Sequence, residues 1–420
     1  MKFLSAIEAV KVVKSGDRVF VHSASATPTI LTDALTLRAP ELSNVEICHI
    51  HTNGVAKYAD IKYKDSFFVN SLFVGANVRH TIAQGNGTYT PIFLSEMGKL
   101  MANGDLKIDV VFIQVSAPDS HGNYSLGSSV ENIKEAIKNA RVVIAVVNKF
   151  VPRTFGDSLI AAKCIDIFVQ NDAPLYSLPV GNITDEEKII GNYIAELIED
   201  KSCLQMGIGS IPNAVLANLN NHKGLGIHTE MFSDGIMPLV KSGVITGEYK
   251  GIIKNKIVST FADGSQELYD FIHDNPIVEM KSAAFTNDPQ QIRKNKRMIA
   301  INSAIEVDLT GQVCADSIGP NIYSGVGGQI DFITGAALSE GGKSIVALTS
   351  ITNKGMNKIV PHLRKGAGVV TSRAQIDYIV TEYGVAKLKG KSIRDRVEAL
   401  TKIAHPNFRE TIAKEYYDSI

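Results

Sequence analysis

One order of elements occurs twice in this chain: a strand, a short loop of small residues, a proline, a helix and a second strand. In the first copy the residue pattern predicts a strand over 18–22, a loop over 23–28, a helix over 29–37 and a strand over 44–51. A repeat of this length indicates a duplicated domain and not a short solenoid repeat.

The second copy predicts a strand over 201–206, a loop over 207–212, a helix over 213–219 and a strand that ends at Glu230. Two further pairs of segments match in the same chain order, namely 72–76 with 260–264 and 111–122 with 298–311. Strands that alternate with helices predict mostly parallel sheets covered by helices on both faces. The predicted fold is therefore an internally duplicated α/β architecture.

The chain has 420 residues, which is more than one ordinary hydrophobic core supports, so two domains are expected. Residues 183–187 read as a linker followed by the start of a helix. We therefore predict an N-terminal α/β domain over 1–185 and a C-terminal α/β domain over 186–420.

The two copies differ at one chemically important position. Ile50-His51-Thr52 is followed by Asn53, whereas the matching Ile227-His228-Thr229 is followed by Glu230. A purely structural role would tolerate the same residue in both copies, so the difference favours a functional carboxylate. Residues just beyond the carboxyl ends of parallel strands hold the chemistry in many open α/β sheets. We therefore predict that Glu230, within 226–235, is the catalytic residue and a covalent nucleophile.

Two glycine-rich loops are candidates for the rest of the site. The first is Gly207-Ile208-Gly209-Ser210-Ile211-Pro212, between a predicted strand and helix, where backbone N–H groups suit an anion; a generic glycine turn is an equal alternative. The second is 324–332, whose three close glycines suit a backbone pressed against a ligand or an oxyanion. Gly327 and Gly328 are the predicted oxyanion donors there.

Several other motifs fail on spacing or context. Residues 341–344 end like a phosphate loop, but the earlier glycine is misplaced and a strand follows. The His228-Thr229-Glu230 triplet lacks the P-C-x-x-C that zinc deaminases require. There is no G-x-S-x-G elbow and no C-x-x-C pair. The histidines have no metal-ligand spacing, so no metal site is predicted.

Charge and hydropathy exclude several partners. Lysine plus arginine equals aspartate plus glutamate, at 43 each, which gives no sign of a nucleic-acid or membrane-surface partner. No apolar run reaches the roughly 20 residues needed to span a bilayer, and the first residues do not read as a signal peptide. We expect a cytoplasmic protein.

These residues resemble the acetyl-CoA hydrolase/transferase family of CoA-transferases, especially its 4-hydroxybutyrate and butyryl-CoA:acetate branch. The matching stretches extend over nearly the whole chain and are 115–122, 205–212, 226–235 and 325–332. The resemblance implies two tandem, internally duplicated CoA-transferase-type α/β domains, a fold shared with sugar-phosphate isomerases. It also implies that acyl-CoA and acetate, or another short carboxylic acid, are the substrates, with no permanently bound cofactor and with a homodimer as the assembly.

Matched motif by motif, the resemblance assigns roles to individual residues. The nucleophile falls on Glu230, which would exchange CoA between acids by a ping-pong route through a glutamyl-CoA thioester. His22 and Gln205 match positions that line the acyl site. The contacts to CoA fall on this set: Gly207, Ile208, Gly209, Ser210, Ile211, Asn302, Gly328 and Lys354.

This chain departs from the family pattern in small ways. Ser210 stands where glycine or alanine is common, and Ser116-Ala117-Pro118 replaces a commoner Ser-Pro-Pro. The chain is shorter than the acetate/succinate branch, which disfavours succinate as the acyl donor.

The chemistry is consistent with this reading, because a carboxylate and a thiolate are both anions near neutral pH and need no metal or general base. An acetyl-CoA hydrolase, which would admit water to the same site, and a succinyl- or propionyl-CoA:acetate transferase stay open. A sugar-phosphate isomerase is a more remote alternative, and a regulator ranks last because no DNA-binding helix pair is visible.

Overall fold

The computed structural model describes residues 3–178, 181–207 and 209–420 and divides the chain into two compact units. Unit 1 comprises Met1–Pro179, Val258–Phe285 and Ile322–Gly325. Unit 2 comprises Val180–Ile257, Thr286–Asn321 and Val326–Ile420. The predicted domain limits, 1–185 and 186–420, stay a prediction, and two short segments beyond residue 185 pack in unit 1.

The main sheet of unit 1 is parallel throughout. Its strands lie side by side in the order Phe3–Leu4, Ile167–Gln170, Val142–Val147, Val110–Val115, Arg18–Val21, Val45–His49, Phe67–Ser71 and Gly87–Tyr89. The α-helices of this part of the chain are Ala6–Ala9, Thr29–Leu37, Arg79–Gln84, Leu94–Asn103, Ile133–Asn139, Gln266–Ile272 and Ala283–Thr286. Short 3-10 turns cover Val10–Val12, Ala39–Glu41, Lys57–Ala59, Ile61–Tyr63 and Ala162–Cys164.

The main sheet of unit 2 is parallel except at one edge, where the last strand runs antiparallel. Its strands lie in the order Gly226–Ile227, Cys203–Met206, Met298–Ser303, Lys343–Ala347, Tyr378–Thr381 and Gly384–Lys387. The helices of unit 2 are Asp185–Leu197, Ser210–Ala217, Ile236–Lys241, Pro289–Ile292, Gln329–Leu338, Ile393–Ile403 and Arg409–Asp418, with a 3-10 turn at Pro406–Phe408.

Shorter strands complete the described chain. They are Asn123–Ser125, Phe155–Gly156, Leu159–Ala161, Met231–Phe232, Ile257–Ser259, Phe261–Ala262, Val278–Met280, Glu306–Asp308, Val313–Cys314, Ser317–Ile318, Asn321–Ile322 and Ile359–Val360.

Strand order confirms the predicted duplication. In unit 1 the first strand of the pattern, Arg18–Val21, lies between Val45–His49 and Val110–Val115. In unit 2 the matching strand, Cys203–Met206, lies between Gly226–Ile227 and Met298–Ser303. Beyond Val110–Val115 and Met298–Ser303, the next two strands of each sheet also follow one another in chain order. The fold class predicted from the sequence is therefore correct.

Apolar side chains that alternate along the strands form each core. In unit 1, Val19 and Val21 point to the side on which Leu31 and Leu35 of helix Thr29–Leu37 are fully buried. Burying a leucine side chain contributes about 1.5–3 kcal/mol, so such pairs fix the helix against the sheet. The core of unit 2 is built in the same way around Val346, Ile379 and Ile333.

Local signals set the start of two neighbouring helices in unit 2. Thr184 and Glu187 form a reciprocal capping box at the start of Asp185–Leu197, as the sequence predicts near residue 185. The next helix was expected over 213–219 but covers Ser210–Ala217, with Pro212 inside its first turn. Proline is tolerated there because the first N–H groups of a helix have no intrahelical partner.

These two helices pack closely where Gly191 faces Ala214. A Cβ on Gly191 would lie 2.7 Å from the Ala214 carbonyl carbon and 2.8 Å from its oxygen. The contact is backbone against side chain, so a rotamer change cannot relieve it. Gly191 therefore sets the distance between the helix that begins at Thr184 and the helix that follows Gly209.

We expect Gly191→Ala to destabilise the protein by about 1–3 kcal/mol, because overpacking outweighs the gain of about 1 kcal/mol in helix propensity. Urea unfolding of both proteins measures the difference. Gly181→Ala is the matched control, since nothing lies within 4 Å of a Cβ at Gly181. Equal stability of the Gly191 variant and the wild type would contradict this account of the packing.

Candidate active site

The loop that carries Glu230 is fixed by the strand before it and by two hydrogen-bonded neighbours. The strand Gly226–Ile227 pairs in parallel with Cys203–Met206. The His228 N–H donates to the Leu204 carbonyl oxygen at 3.1 Å. The Thr229 hydroxyl lies 3.0 Å from the Met206 carbonyl oxygen and accepts from the Met206 N–H at 3.1 Å. Glu230 therefore lies just past the carboxyl ends of two adjacent parallel strands, as predicted.

The Glu230 carboxylate is held by two donors from other parts of unit 2. The Asn287 side-chain amide donates to Oε2 at 2.9 Å. The backbone N–H of Gly328 is a second donor to the carboxylate. Asn287 itself is fully buried, in the turn between Ala283–Thr286 and Pro289–Ile292. Both of these donors are neutral dipoles.

Gly328 has no side chain because the carboxylate occupies that space. A Cβ on Gly328 would lie 1.9 Å from Glu230 Oε2 and 2.1 Å from Asn287 Nδ2. The neighbouring Gly327 has φ +52°, a conformation that residues with a side chain rarely adopt. Gly328 is also the N-cap of helix Gln329–Leu338, so the positive end of that helix faces the carboxylate. The prediction that Gly327 or Gly328 donates to an oxyanion stays a prediction; here Gly328 binds the carboxylate itself.

Burial raises the pKa of Glu230 to about 7, and the hydrogen bonds from Asn287 and Gly328 oppose this rise. The residue as a whole keeps some exposed surface, but its carboxylate is surrounded by protein atoms. We attribute the shift to this desolvation, since loss of hydration penalises the charged form. The sequence predicts an ionised Glu230 near neutral pH. A group with a pKa of about 7 is about half protonated at that pH, so only part of the protein carries the carboxylate.

The first glycine-rich segment leads into a helix, as predicted, but its last three residues, 210–212, already belong to that helix. Gly209 has φ +118° and is the N-cap of Ser210–Ala217, whose first N–H groups suit an anion. The Ser210 hydroxyl donates to Glu187, which also caps the preceding helix. Gly207 leaves open space where a Cβ would be. Ile208, a predicted CoA contact, lies outside the described residues, and the side chain of Ile211 is buried.

Two other predicted contacts meet at the ends of adjacent strands. The Asn302 amide donates to Gln205 Oε1 at 3.2 Å, and Gln205 is buried. Lys354 lies in an exposed turn, with its N–H donating to the Thr352 hydroxyl at 3.3 Å. The structure therefore brings Gln205 and Asn302 together, whereas Lys354 stays a separate predicted contact.

His22 belongs to unit 1, and both of its ring nitrogens are occupied. Its Nε2 lies 2.8 Å from the Ser129 carbonyl oxygen, and its Nδ1 lies 3.3 Å from the Gln114 backbone N–H. Burial lowers the pKa of His22 to about 4, so the ring is neutral. A neutral ring with these partners donates from Nε2 and accepts at Nδ1. The predicted role of His22 in the acyl site would thus depend on its ring surface or on breaking one of these bonds.

Comparison with known proteins identifies the family. The model of the acetyl-CoA hydrolase/transferase N-terminal domain matches residues 1–179, and that of the C-terminal domain matches residues 264–416. A relative from Clostridium kluyveri, a 4-hydroxybutyrate coenzyme A transferase, is 47% identical over 99% of this chain and 97% of its own length. The chain belongs to the acetyl-CoA hydrolase/transferase family.

Members of this family that resemble the chain differ in their named substrates. A succinyl-CoA:acetate/propanoyl-CoA:succinate CoA transferase from Fasciola hepatica is 45% identical over 97% of this chain and 86% of its own. A butyryl-CoA:acetate CoA-transferase from Anaerostipes caccae is 38% identical over 99% of this chain and 95% of its own. The crystal structure of RipA from Yersinia pestis matches with a TM-score of 0.95 at 32% identity, covering 100% of this chain and 98% of that one.

The sequence did not predict the contact of Asn287 with Glu230. It lies 57 positions after Glu230 in Thr286-Asn287-Asp288-Pro289, which reads only as a helix start with Asp288 as its N-cap. Nothing in that motif indicates that the asparagine contacts a carboxylate.

Among the described residues no group of three or more histidine, cysteine or acidic side chains is placed to hold a metal ion. No helix in that part of the chain is long and apolar enough to cross a membrane.

The raised pKa of Glu230 predicts a stability that depends on pH. Between its ordinary value of 4.5 and about 7, the folded protein keeps a proton that the unfolded chain loses, so this group lowers stability as pH rises through that window. Glu230→Gln removes the ionisation. We expect this variant to be more stable than the wild type above pH 7 by up to roughly 3 kcal/mol, and the difference to vanish near pH 4.5.

Urea unfolding of the wild type and Glu230→Gln measures this difference. It is repeated at pH values about one unit apart, from about pH 4 to about pH 8.5. Glu398→Gln is the control, because its ion pair with Lys402 lowers the pKa of Glu398, and its small effect has the opposite sign. A Glu230→Gln difference that does not change with pH would show that the carboxylate has an ordinary pKa.

Proposed function

We propose that this chain is a CoA-transferase that exchanges CoA between a short-chain acyl-CoA, either 4-hydroxybutyryl-CoA or butyryl-CoA, and acetate. The observation that carries the proposal is the Glu230 carboxylate, desolvated at the strand ends and held by Asn287 and Gly328, in a member of this family. A carboxylate with little hydration is a better nucleophile than a solvated one.

The proposed reaction begins when a Glu230 oxygen attacks the thioester carbonyl carbon. The C–S bond then breaks, leaving an acyl-glutamyl anhydride and a CoA thiolate. The thiolate attacks the glutamyl carbonyl carbon, the C–O bond of the anhydride breaks, and the first carboxylic acid leaves as its carboxylate. Glu230 now carries CoA as a thioester. The acceptor carboxylate runs the same steps in reverse and leaves as the new acyl-CoA, which restores the Glu230 carboxylate.

Asn287 and Gly328 suit the glutamyl side of this sequence. The oxygen that accepts from Asn287 in the carboxylate is available as the carbonyl oxygen of the thioester and as the oxyanion when that carbonyl is attacked. Donors already aimed at this position need no rearrangement as the charge develops, which is the basis of oxyanion stabilisation. Gly207 to Ile211 and Asn302 are the proposed contacts to CoA, and Gln205, beside Asn302, is a proposed acyl contact.

The ionisation of Glu230 adds a pH dependence to the proposal. Only the carboxylate form is a nucleophile, and its pKa is about 7 before substrate binds. The value of kcat/KM for the acyl-CoA reports on groups in the free enzyme. It should therefore rise with pH through about 7 and level off above that value.

Two alternatives differ in which co-substrate is needed. A hydrolase would release CoA from acyl-CoA in water alone, whereas a transferase needs an added carboxylic acid. The 45% identity to the Fasciola hepatica protein is the observation behind a succinyl- or propionyl-CoA donor as the second alternative. A panel of 4-hydroxybutyryl-, butyryl-, propionyl- and succinyl-CoA, each with and without acetate, separates these cases. Free CoA formed at the full rate without acetate would contradict the transferase proposal.

We expect Glu230→Ala to abolish CoA exchange, since no other group then forms the covalent intermediate. Glu230→Asp withdraws the carboxylate by about 1 Å and should lose roughly 100-fold or more in kcat. Steady-state exchange between acyl-CoA and acetate measures both. Glu248→Ala, at an exposed carboxylate of unit 2, is the control. Near-normal turnover by Glu230→Ala would rule out the covalent route.

A further inference from the structure

His228 is a fully buried histidine two residues before Glu230, and it contacts the segment that carries Asn287. Its Nε2 lies 2.8 Å from the Thr286 carbonyl oxygen. Thr286 is the residue immediately before Asn287, and both are fully buried. The ring of His228 also packs against the ring of Phe332, in the helix that begins after Gly328, with 6.2 Å between centroids and 62° between the ring planes. One side chain therefore contacts both segments that supply donors to the carboxylate.

The protonation state of His228 fixes the direction of its hydrogen bond. Burial, with the nearby charge of Lys250 as a second cause, lowers the pKa of His228 to about 3. The ring is therefore neutral at ordinary pH and carries one N–H. Because a carbonyl oxygen only accepts, that N–H is on Nε2. The bond keeps the same direction across the pH range in which Glu230 titrates.

The duplicated copy offers a contrast. His51 stands in the same Ile-His-Thr triplet, followed by Asn53. Its ring packs among the rings of Phe73 and Phe261, with centroids 6.2 and 5.3 Å away. The triplet alone does not dictate a bond from its histidine to a backbone carbonyl, so this bond is a specific feature of the copy with the carboxylate.

We propose that His228 is a positioning residue: its Nε2–H holds the Thr286 carbonyl, and this fixes the Asn287 amide against Glu230. The chain of contacts is short, from Nε2 to Thr286 at 2.8 Å and from Asn287 Nδ2 to Oε2 at 2.9 Å. His228 touches no reacting atom in this proposal. Its importance for the reaction rests on the proposed function, whereas its effect on the Glu230 carboxylate does not.

Loss of this bond has a defined consequence. The buried Thr286 carbonyl loses the donor from His228, and the turn that carries Asn287 is free to move. Among the described residues, the Asn287 amide and the Gly328 N–H are the groups that lower the pKa of Glu230, and Lys250 is the charged group that acts on His228. A weaker bond from Asn287 should therefore raise the pKa of Glu230 further.

Two substitutions separate positioning from general disruption. Glutamine places its side-chain N–H close to the position of Nε2, so His228→Gln keeps a donor for Thr286. Asparagine is one carbon shorter and cannot reach that carbonyl, so His228→Asn loses the bond while staying polar. His222→Asn is the matched control, because the Nε2 of His222 lies 3.1 Å from the Ile198 carbonyl oxygen in the same unit.

The first measurement is the free energy of unfolding of each protein and of its Glu230→Gln counterpart across pH. The difference between the two changes with pH as Glu230 ionises, and the midpoint of this change is compared among the variants. We expect the midpoint to rise by roughly one pH unit in His228→Asn and in Asn287→Ala. The His228→Asn/Asn287→Ala double variant should rise no further than Asn287→Ala alone, because both changes remove one interaction. His228→Gln and His222→Asn should keep the wild-type midpoint. Equal midpoints in His228→Asn and His228→Gln, shifted or not, would overturn the proposal.

The second measurement is the acid limb of the pH profile of kcat/KM for CoA exchange, that is, the low-pH range in which kcat/KM rises with pH. The midpoint of this limb should shift in the same variants by the same amount. At pH values above the limb, kcat should fall by a larger factor than KM changes. If the wild type exchanges no CoA, the proposed function fails, while the stability midpoints still decide the role of His228. If the wild type exchanges CoA and His228→Asn keeps its acid limb, only the positioning role fails.

Discussion

The site depends on the balance between desolvation and hydrogen bonding at one carboxylate. Removing Glu230 from water favours its protonated form, whereas the Asn287 amide and the Gly328 N–H favour the anion. Desolvation is the larger effect, and the pKa settles at about 7. A cationic donor would lower the pKa of a carboxyl group and make its carboxylate a weaker nucleophile, whereas the Asn287 amide and the Gly328 N–H are neutral. Neutral donors leave it reactive at a cost in stability, which is a common trade at active sites.

The duplicated scaffold explains how these groups are brought together. Both units place a loop beyond the ends of two parallel strands, and both place an amide against a carboxylate there. In unit 1 the amide is on the loop, where Asn53 donates to the buried Asp263 at 3.1 Å. In unit 2 the carboxylate is on the loop and the amide, Asn287, comes from elsewhere. The same scaffold therefore supports both arrangements, and they differ in whether the loop itself carries the amide or the carboxylate.

The features of this structure that the sequence predicted depend on residues that are near one another in the chain. Alternating strands and helices and their repetition predicted the duplicated fold, and the contrast of Asn53 with Glu230 located the carboxylate. Asn287 was missed because its role depends on a contact across 57 positions that no local pattern encodes. The close approach at Gly328 and the pKa of Glu230 likewise come from tertiary packing. The helix predicted to begin at residue 213 begins at Ser210. The sequence signal was ambiguous, because a proline is common both within the first turn of a helix and just before it.

The most direct test of the proposed mechanism is the mass of the peptide that contains Glu230 after the protein meets acyl-CoA without an acceptor acid. The mechanism predicts that CoA is attached to Glu230 as a thioester, that added acetate removes it, and that the adduct is missing in Glu230→Gln. A protein that turns over acyl-CoA with acetate while its Glu230 peptide never carries CoA would contradict the mechanism.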